Sequence, residues 1–67
     1  MTEAQFNDLL DETLFAYHSE PRTAREPLED VIRRIARRER YKPSEEDVRA
    51  LAALAYEQLV AVGQTPL

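Results

Sequence analysis

The chain has 67 residues, no Cys, a single Gly and a formal net charge of −4. A chain of that length makes one domain at most and buries only about 60% of its unfolded surface. Without Cys it has neither disulfides nor thiolate metal sites, and no stretch approaches the roughly 18 apolar residues of a membrane span, so no membrane partner is expected.

The first element predicted is a helix over about residues 3–18. Thr2 is its N-cap, and Gln5, three residues on, completes a capping box. Phe6, Leu9, Leu10, Thr13, Leu14 and Tyr17 recur at the spacing of one helical stripe. His18 falls in the last turn and Pro21 ends the helix.

The second helix ends near Tyr41 and has two possible starts. Thr23 with Glu26 forms a second potential capping box, which starts it at Ala24; Pro27 suits a first-turn position, which starts it there. Leu28, Val31, Ile32, Ile35 and Ala36 are its buried stripe. The stop near Tyr41 follows from Pro43, because the residue before a proline avoids helical geometry.

The third helix spans about 45–62. Ser44 is its N-cap, Asp47 closes a capping box, and Gly63 is a natural left-handed residue at the C-terminus. Val48, Leu51, Ala52, Ala55, Tyr56, Leu59 and Val62 form its wide apolar stripe. Residues 63–67, with Pro66, read as a frayed tail. The fold class expected is an all-α, self-associating three-helix bundle comprising a single domain, residues 1–67. Capping signals at both ends, Thr2 and Gly63, lead us to expect a complete small protein. The acidic start, with no long apolar run, argues against a signal peptide, and a cytoplasmic location is expected.

Charge is segregated along the chain. Residues 1–20 hold five acids and no Lys or Arg, whereas eight of the nine basic residues lie between Arg22 and Lys42. With the stripe of helix 2 facing the core, Arg33, Arg37 and Arg40 share the opposite face, flanked by Arg34 and Tyr41. Arg is planar and multidentate, so this face suits an anionic partner. An acidic protein surface is the first reading and nucleic acid the alternative. The structural alternative is a solvated face paired with Glu29, Asp30 and the acidic flanking helices. Helices 2 and 3 match a DNA-binding helix-turn-helix poorly. A recognition helix presents its N-terminal turn to the bases, and here that turn is Glu45, Glu46 and Asp47.

Enzymatic chemistry is not expected. Asp8, Asp11 and Glu12 lack a His partner at helical spacing and read as a solvated acidic face, so no metal site is expected. Ser44 serves as a cap, a triad is not made by the adjacency of His18 and Ser19, and one Gly cannot make a phosphate loop. No cofactor is expected.

Two apolar features exceed what a monomer uses. Phe15 lies about 180° from Phe6 on helix 1, away from the stripe, and suggests a partner anchor. On helix 3, Ala50, Ala53, Leu54, Val60 and Ala61 lie outside the stripe, and a helix that is apolar all round is usually buried. We expect these five residues to form a homodimer interface. The sequence therefore reads as a small regulatory protein (an adaptor, an inhibitor or a regulatory subunit) that binds another protein and itself.

Overall fold

The computed structural model describes residues 1–20 and 25–66. It contains three helices: α1 (Glu3–Ser19), α2 (Leu28–Glu39) and α3 (Glu45–Ala61). Each packs against both others, giving the all-α three-helix bundle expected. Long-range contacts fix an up-down-up arrangement. Asp8, in the first half of α1, and Glu12, at its middle, meet Tyr41 and Arg38 at the end of α2, while Tyr17, near the end of α1, meets Glu26 just before the start of α2. Likewise the start of α2 shares a groove with Ala52, Ala53 and Tyr56, and its end shares one with Glu45 and Val48.

Local signals set most helix ends. The Thr2 side chain accepts from the Gln5 N–H, and the Thr2 N–H donates to the Gln5 side chain, both at 3.1 Å. Ser44 and Asp47 do the same for α3 at 3.1 and 3.2 Å. At the far end of α3 the Gln64 N–H reaches the Leu59 carbonyl and the Gly63 N–H reaches Val60, the paired bonds of a Schellman stop, with Gly63 at φ 84°.

The α2 boundaries differ from expectation. The helix begins one residue after Pro27, whose carbonyl accepts from Asp30 and Val31. The alternative start at Ala24, and the Thr23 cap that goes with it, lie outside the described residues. The helix stops at Glu39, short of Tyr41. Arg40 turns left-handed at φ 63°, and the Tyr41 N–H bonds to the Ala36 carbonyl at 2.8 Å. This early stop aims the Tyr41 ring at the core and its hydroxyl at Asp8. A left-handed residue with a Cβ is strained, so Arg40→Gly should stabilise the fold by about 0.5–1 kcal/mol. Urea denaturation measures this; a loss of stability would show that the Arg40 side chain contributes to the fold.

The core takes Leu9, Ala16 and Tyr17 from α1, all five expected stripe residues from α2, and Val48, Leu51, Ala55 and Leu59 from α3. Thr13 is fully buried and donates to the Leu9 carbonyl at 2.7 Å, which satisfies its hydroxyl within its own helix. Phe6, Leu10, Leu14, Tyr41 and Ala52 pack around this centre. Two stripe residues depart from the expectation: Tyr56 is 49% exposed and Val62 is 62% exposed. The expected stripe of α3 was wider than the seam between two neighbouring helices, and Val62 lies past the last turn. The tail also differs, since Gln64 is half-buried and Pro66 is buried. The radius of gyration, 10.8 Å, equals the roughly 11 Å of a compact domain of this length. The monomer thus closes its core with its own three helices.

Candidate functional site

The arginines of α2 fall into two groups. Arg33 projects toward α3 and gathers three carboxylates: Glu45 at 3.0 Å, Asp30 at 3.5 Å and Glu29 at 3.6 Å. The last two lie three and four residues back on the same helix, the spacing at which side chains meet. Arg38 projects toward α1 and pairs with Glu12 at 3.0 Å and Glu39 at 3.4 Å. Arg34 reaches back to Glu26 at 2.6 Å.

Arg37, Arg40 and Lys42 form the second group. All three are exposed, and none has an ion pair or hydrogen bond through its side chain with the described residues. They follow one another at the end of α2 and in the connection to α3, so three cations without a direct partner among the described residues cluster at this pole of the bundle, next to the acidic first turn of α3. The helix dipole accommodates cations there, because its C-terminus is the negative end.

Of the five residues expected to present one anion-binding face, only Arg37 and Arg40 are therefore open. Arg33 and Arg34 are engaged within the fold. Tyr41 is half-buried and donates to Asp8 Oδ2 at 2.7 Å. The expected run of Arg33, Arg37 and Arg40 on one helical face ends at Arg37, because Arg40 has left the helix. Lys42 is the cation that sequence reasoning missed. Its signal was available: it precedes Pro43, lies just beyond a helix end and has no acid within two residues.

The acidic face of α1 also changes character. Asp8 and Glu12 are half-buried and serve Tyr41 and Arg38, while Asp11 remains exposed. These carboxylates cross-link α1 to α2 rather than forming a purely solvated surface. Phe15 is 66% exposed on the same helix. On α3, Ala50, Ala53, Leu54, Val60 and Ala61 are all exposed, as their place outside the core stripe requires.

Two shallow grooves flank α2 on its α3 side. One, of about 460 Å³, has Leu28, Ala52, Ala53 and Tyr56 along it, with Glu29, Asp30 and Arg49 at its edges. The other, of about 280 Å³, lies between the end of α2 and the first turn of α3. Among the described residues no group of three or more His, Cys, Asp or Glu is placed to hold a metal ion, and no helix is long and apolar enough to cross a membrane.

Both inter-helix tyrosines hold their protons more tightly than usual. Burial raises the Tyr17 hydroxyl, the negative charge of Glu26 adds to this, and Arg34 opposes it. The hydrogen bond to Asp8 raises Tyr41, followed by burial and the charges of Asp8, Glu39 and Glu12. A folded-state pKa above the ordinary value of 10.0 stabilises the fold fully below that value. The contribution is lost as pH rises through the raised values. Stability should therefore be insensitive to these groups at neutral pH and fall in alkali above pH 10. In Tyr17→Phe/Tyr41→Phe this alkaline decline should shrink. An unchanged alkaline profile in the double variant would assign the decline to other groups.

Comparison with protein-family models, with curated proteins and with solved structures finds no match to the chain.

Proposed function

We propose that this chain is a small cytoplasmic interaction module that binds an acidic surface of another protein through the pole formed by Arg37, Arg40 and Lys42. The observation that carries this reading is the division of the cations. Arg33, Arg34 and Arg38 have carboxylates within the fold, whereas these three are exposed without one among the described residues. Arg40 adds to it: glycine suits its left-handed backbone better, yet an exposed cation stands there. The lack of Cys fits a reducing compartment. Phe15 supplies a second contact, since exposed aromatics are frequent interface anchors.

The chain also self-associates in this proposal, through Ala50, Ala53, Leu54, Val60 and Ala61. Leu54 and Val60 are 38% and 47% exposed between small residues that permit close helix approach. Sedimentation of the wild type should give a dimer, and of Leu54→Glu a monomer; a wild type that stays monomeric at high concentration removes this part of the proposal.

A nucleic-acid partner is the competing reading, favoured by the same three cations. Glu45, Glu46 and Asp47, which begin α3 beside that pole, repel any anionic partner, and they repel a duplex with its dense, fixed phosphate charge more than a protein surface. Fluorescence anisotropy separates the two. A labelled polyglutamate chain should bind the protein and lose affinity in Phe15→Ala. Random duplex DNA should show no binding tighter than about 10 µM near physiological salt. Submicromolar duplex binding that falls steeply with salt would replace the protein partner with nucleic acid.

A further inference from the structure

We infer that the outer face of α3 seats α3 of a second copy of this chain in antiparallel orientation, with Arg49 of each copy paired to Glu57 of the other. The inference rests on the self-association reading above and specifies its geometry. Ala50, Ala53, Glu57 and Ala61 recur at the spacing of one helical face, turned away from Val48, Leu51, Ala55 and Leu59 in the core. All four are exposed, and Leu54 and Val60 flank them, 38% and 47% exposed.

Charge selects the occupant and its direction. Arg49 and Glu57 are exposed, and neither has an ion pair or hydrogen bond through its side chain with the described residues. Glu29 and Asp30, which share a groove with Arg49, lie with Arg33 instead, at 3.6 and 3.5 Å. Arg49 and Glu57 are eight residues apart. That is about 12 Å along a helix, too far for pairing within one copy. Ala53 lies midway, four residues from each. The face therefore carries its own complement, a cation and an anion equally spaced about one small residue. A two-fold axis at Ala53 brings Arg49 of one copy level with Glu57 of the other, and the same contact recurs on the far side of the axis. A parallel copy in register would instead set Arg49 level with Arg49 and Glu57 level with Glu57. Antiparallel packing also sets the positive end of each helix dipole beside the negative end of the other.

The apolar side chains suit the same axis. Ala53 carries only a methyl group, so the two backbones approach closely there. Leu54, the next residue, meets Leu54 of the second copy. Tyr56, 49% exposed, comes level with Ala50, a large side chain beside a small one. Glu46, the remaining charge on this face, is exposed; it comes level with Val60 at the end of the contact and stays in solvent.

The test is sedimentation equilibrium of the full chain, its Arg49→Glu variant and the exchanged variant Arg49→Glu/Glu57→Arg. Arg49→Glu should raise the dimer dissociation constant at least about fivefold, as replacing two exposed ion pairs by like charges implies. The exchange should restore the wild-type value to within about twofold, because both pairs are remade with their signs reversed. Both positions are exposed, and the exchange suits the dipole of α3, so these variants remain folded. The chain has no Cys, so an introduced one is unique. Under mild oxidation Ala53→Cys, on the axis, should give a disulfide-linked dimer. Ala50→Cys should not, since its two copies lie about 9 Å apart along the helices, beyond the roughly 7 Å that a disulfide spans between Cα atoms. A dimer that Leu54→Glu dissociates but Arg49→Glu does not weaken would overturn the antiparallel pairing and leave self-association through α3 standing. Weakening that the exchange does not restore, or cross-linking through Ala50→Cys as readily as through Ala53→Cys, would do the same. A wild type that stays monomeric at high concentration, or a dimer indifferent to both Leu54→Glu and Arg49→Glu, would overturn both.

Discussion

Changing Arg37, Arg40 and Lys42 together to Glu should abolish binding of an acidic partner while leaving the fold intact, and changing Arg33, Arg34 and Arg38 to Glu should do the reverse. Each triple variant replaces three cations by three anions, taking the formal charge from −4 down by six to −10. General self-repulsion is therefore matched between them, and a difference reports local interactions: the ion pairs of the second set against the smaller effect of the α2 C-terminal dipole on the first. The first set lies exposed with no carboxylate bound among the described residues, and surface changes of this kind stay within about 0.5 kcal/mol apiece. The second set loses its pairs with Glu45, Glu26 and Glu12 and places like charges in their stead. Exposed pairs are worth about 0.2–1 kcal/mol each, so the combined loss is about 1–3 kcal/mol. A domain of this size melts roughly 4–8 °C lower per kcal/mol lost. Thermal denaturation followed by circular dichroism, with peptide binding measured on the same samples, reads both effects. Equal destabilisation by the two sets would show that the division of the arginines has no energetic content.

Leu51→Ala should unfold much of the protein at room temperature. Leu51 is fully buried in the core cluster where α3 meets both other helices. Truncation of a buried Leu costs about 2–5 kcal/mol, through lost transfer energy and the cavity left behind. A chain under about 70–80 residues rarely has more than about 3–5 kcal/mol in total. The cost and the reserve are of the same size. Leu54→Ala is the control three residues on: Leu54 is 38% exposed, and its loss should cost the monomer well under half as much. Chemical denaturation at low concentration, where self-association does not contribute, distinguishes them. A Leu51→Ala protein that unfolds cooperatively with a loss below about 1 kcal/mol would mean that the core collapses readily around the gap.

The helices and most of their ends were legible in the residues, because the interactions that set them span five residues or fewer. Thr2 with Gln5 and Ser44 with Asp47 are each three residues apart, and Gly63 needs only its own conformational freedom to end α3. The buried stripe of α2 followed from the helical period alone, and that of α1 in part: Leu9, Thr13 and Tyr17 are buried, Phe6, Leu10 and Leu14 are half-buried, and Ala16, outside the expected stripe, is buried as well. The width of the α3 stripe did not. Whether Tyr56 faces the core or solvent depends on the angle its neighbours subtend, and they left it 49% exposed.

The candidate site was decided almost wholly by tertiary structure. Composition placed the cations between Arg22 and Lys42, and periodicity gave Arg33, Arg37 and Arg40 a common face. Which of them are open depends on carboxylates brought in from elsewhere: Glu45 twelve residues from Arg33 and Glu12 twenty-six from Arg38. Tyr41 reaches Asp8 across thirty-three residues, with α2 ending two residues early at a strained Arg40. Ion pairing acts through space over a few ångströms, and local sequence holds no record of which distant acid will arrive. The sequence thus determined where positive charge accumulates, and only the packing of three helices decided that Arg33, Arg34 and Arg38 meet carboxylates while Arg37, Arg40 and Lys42 meet none among the described residues.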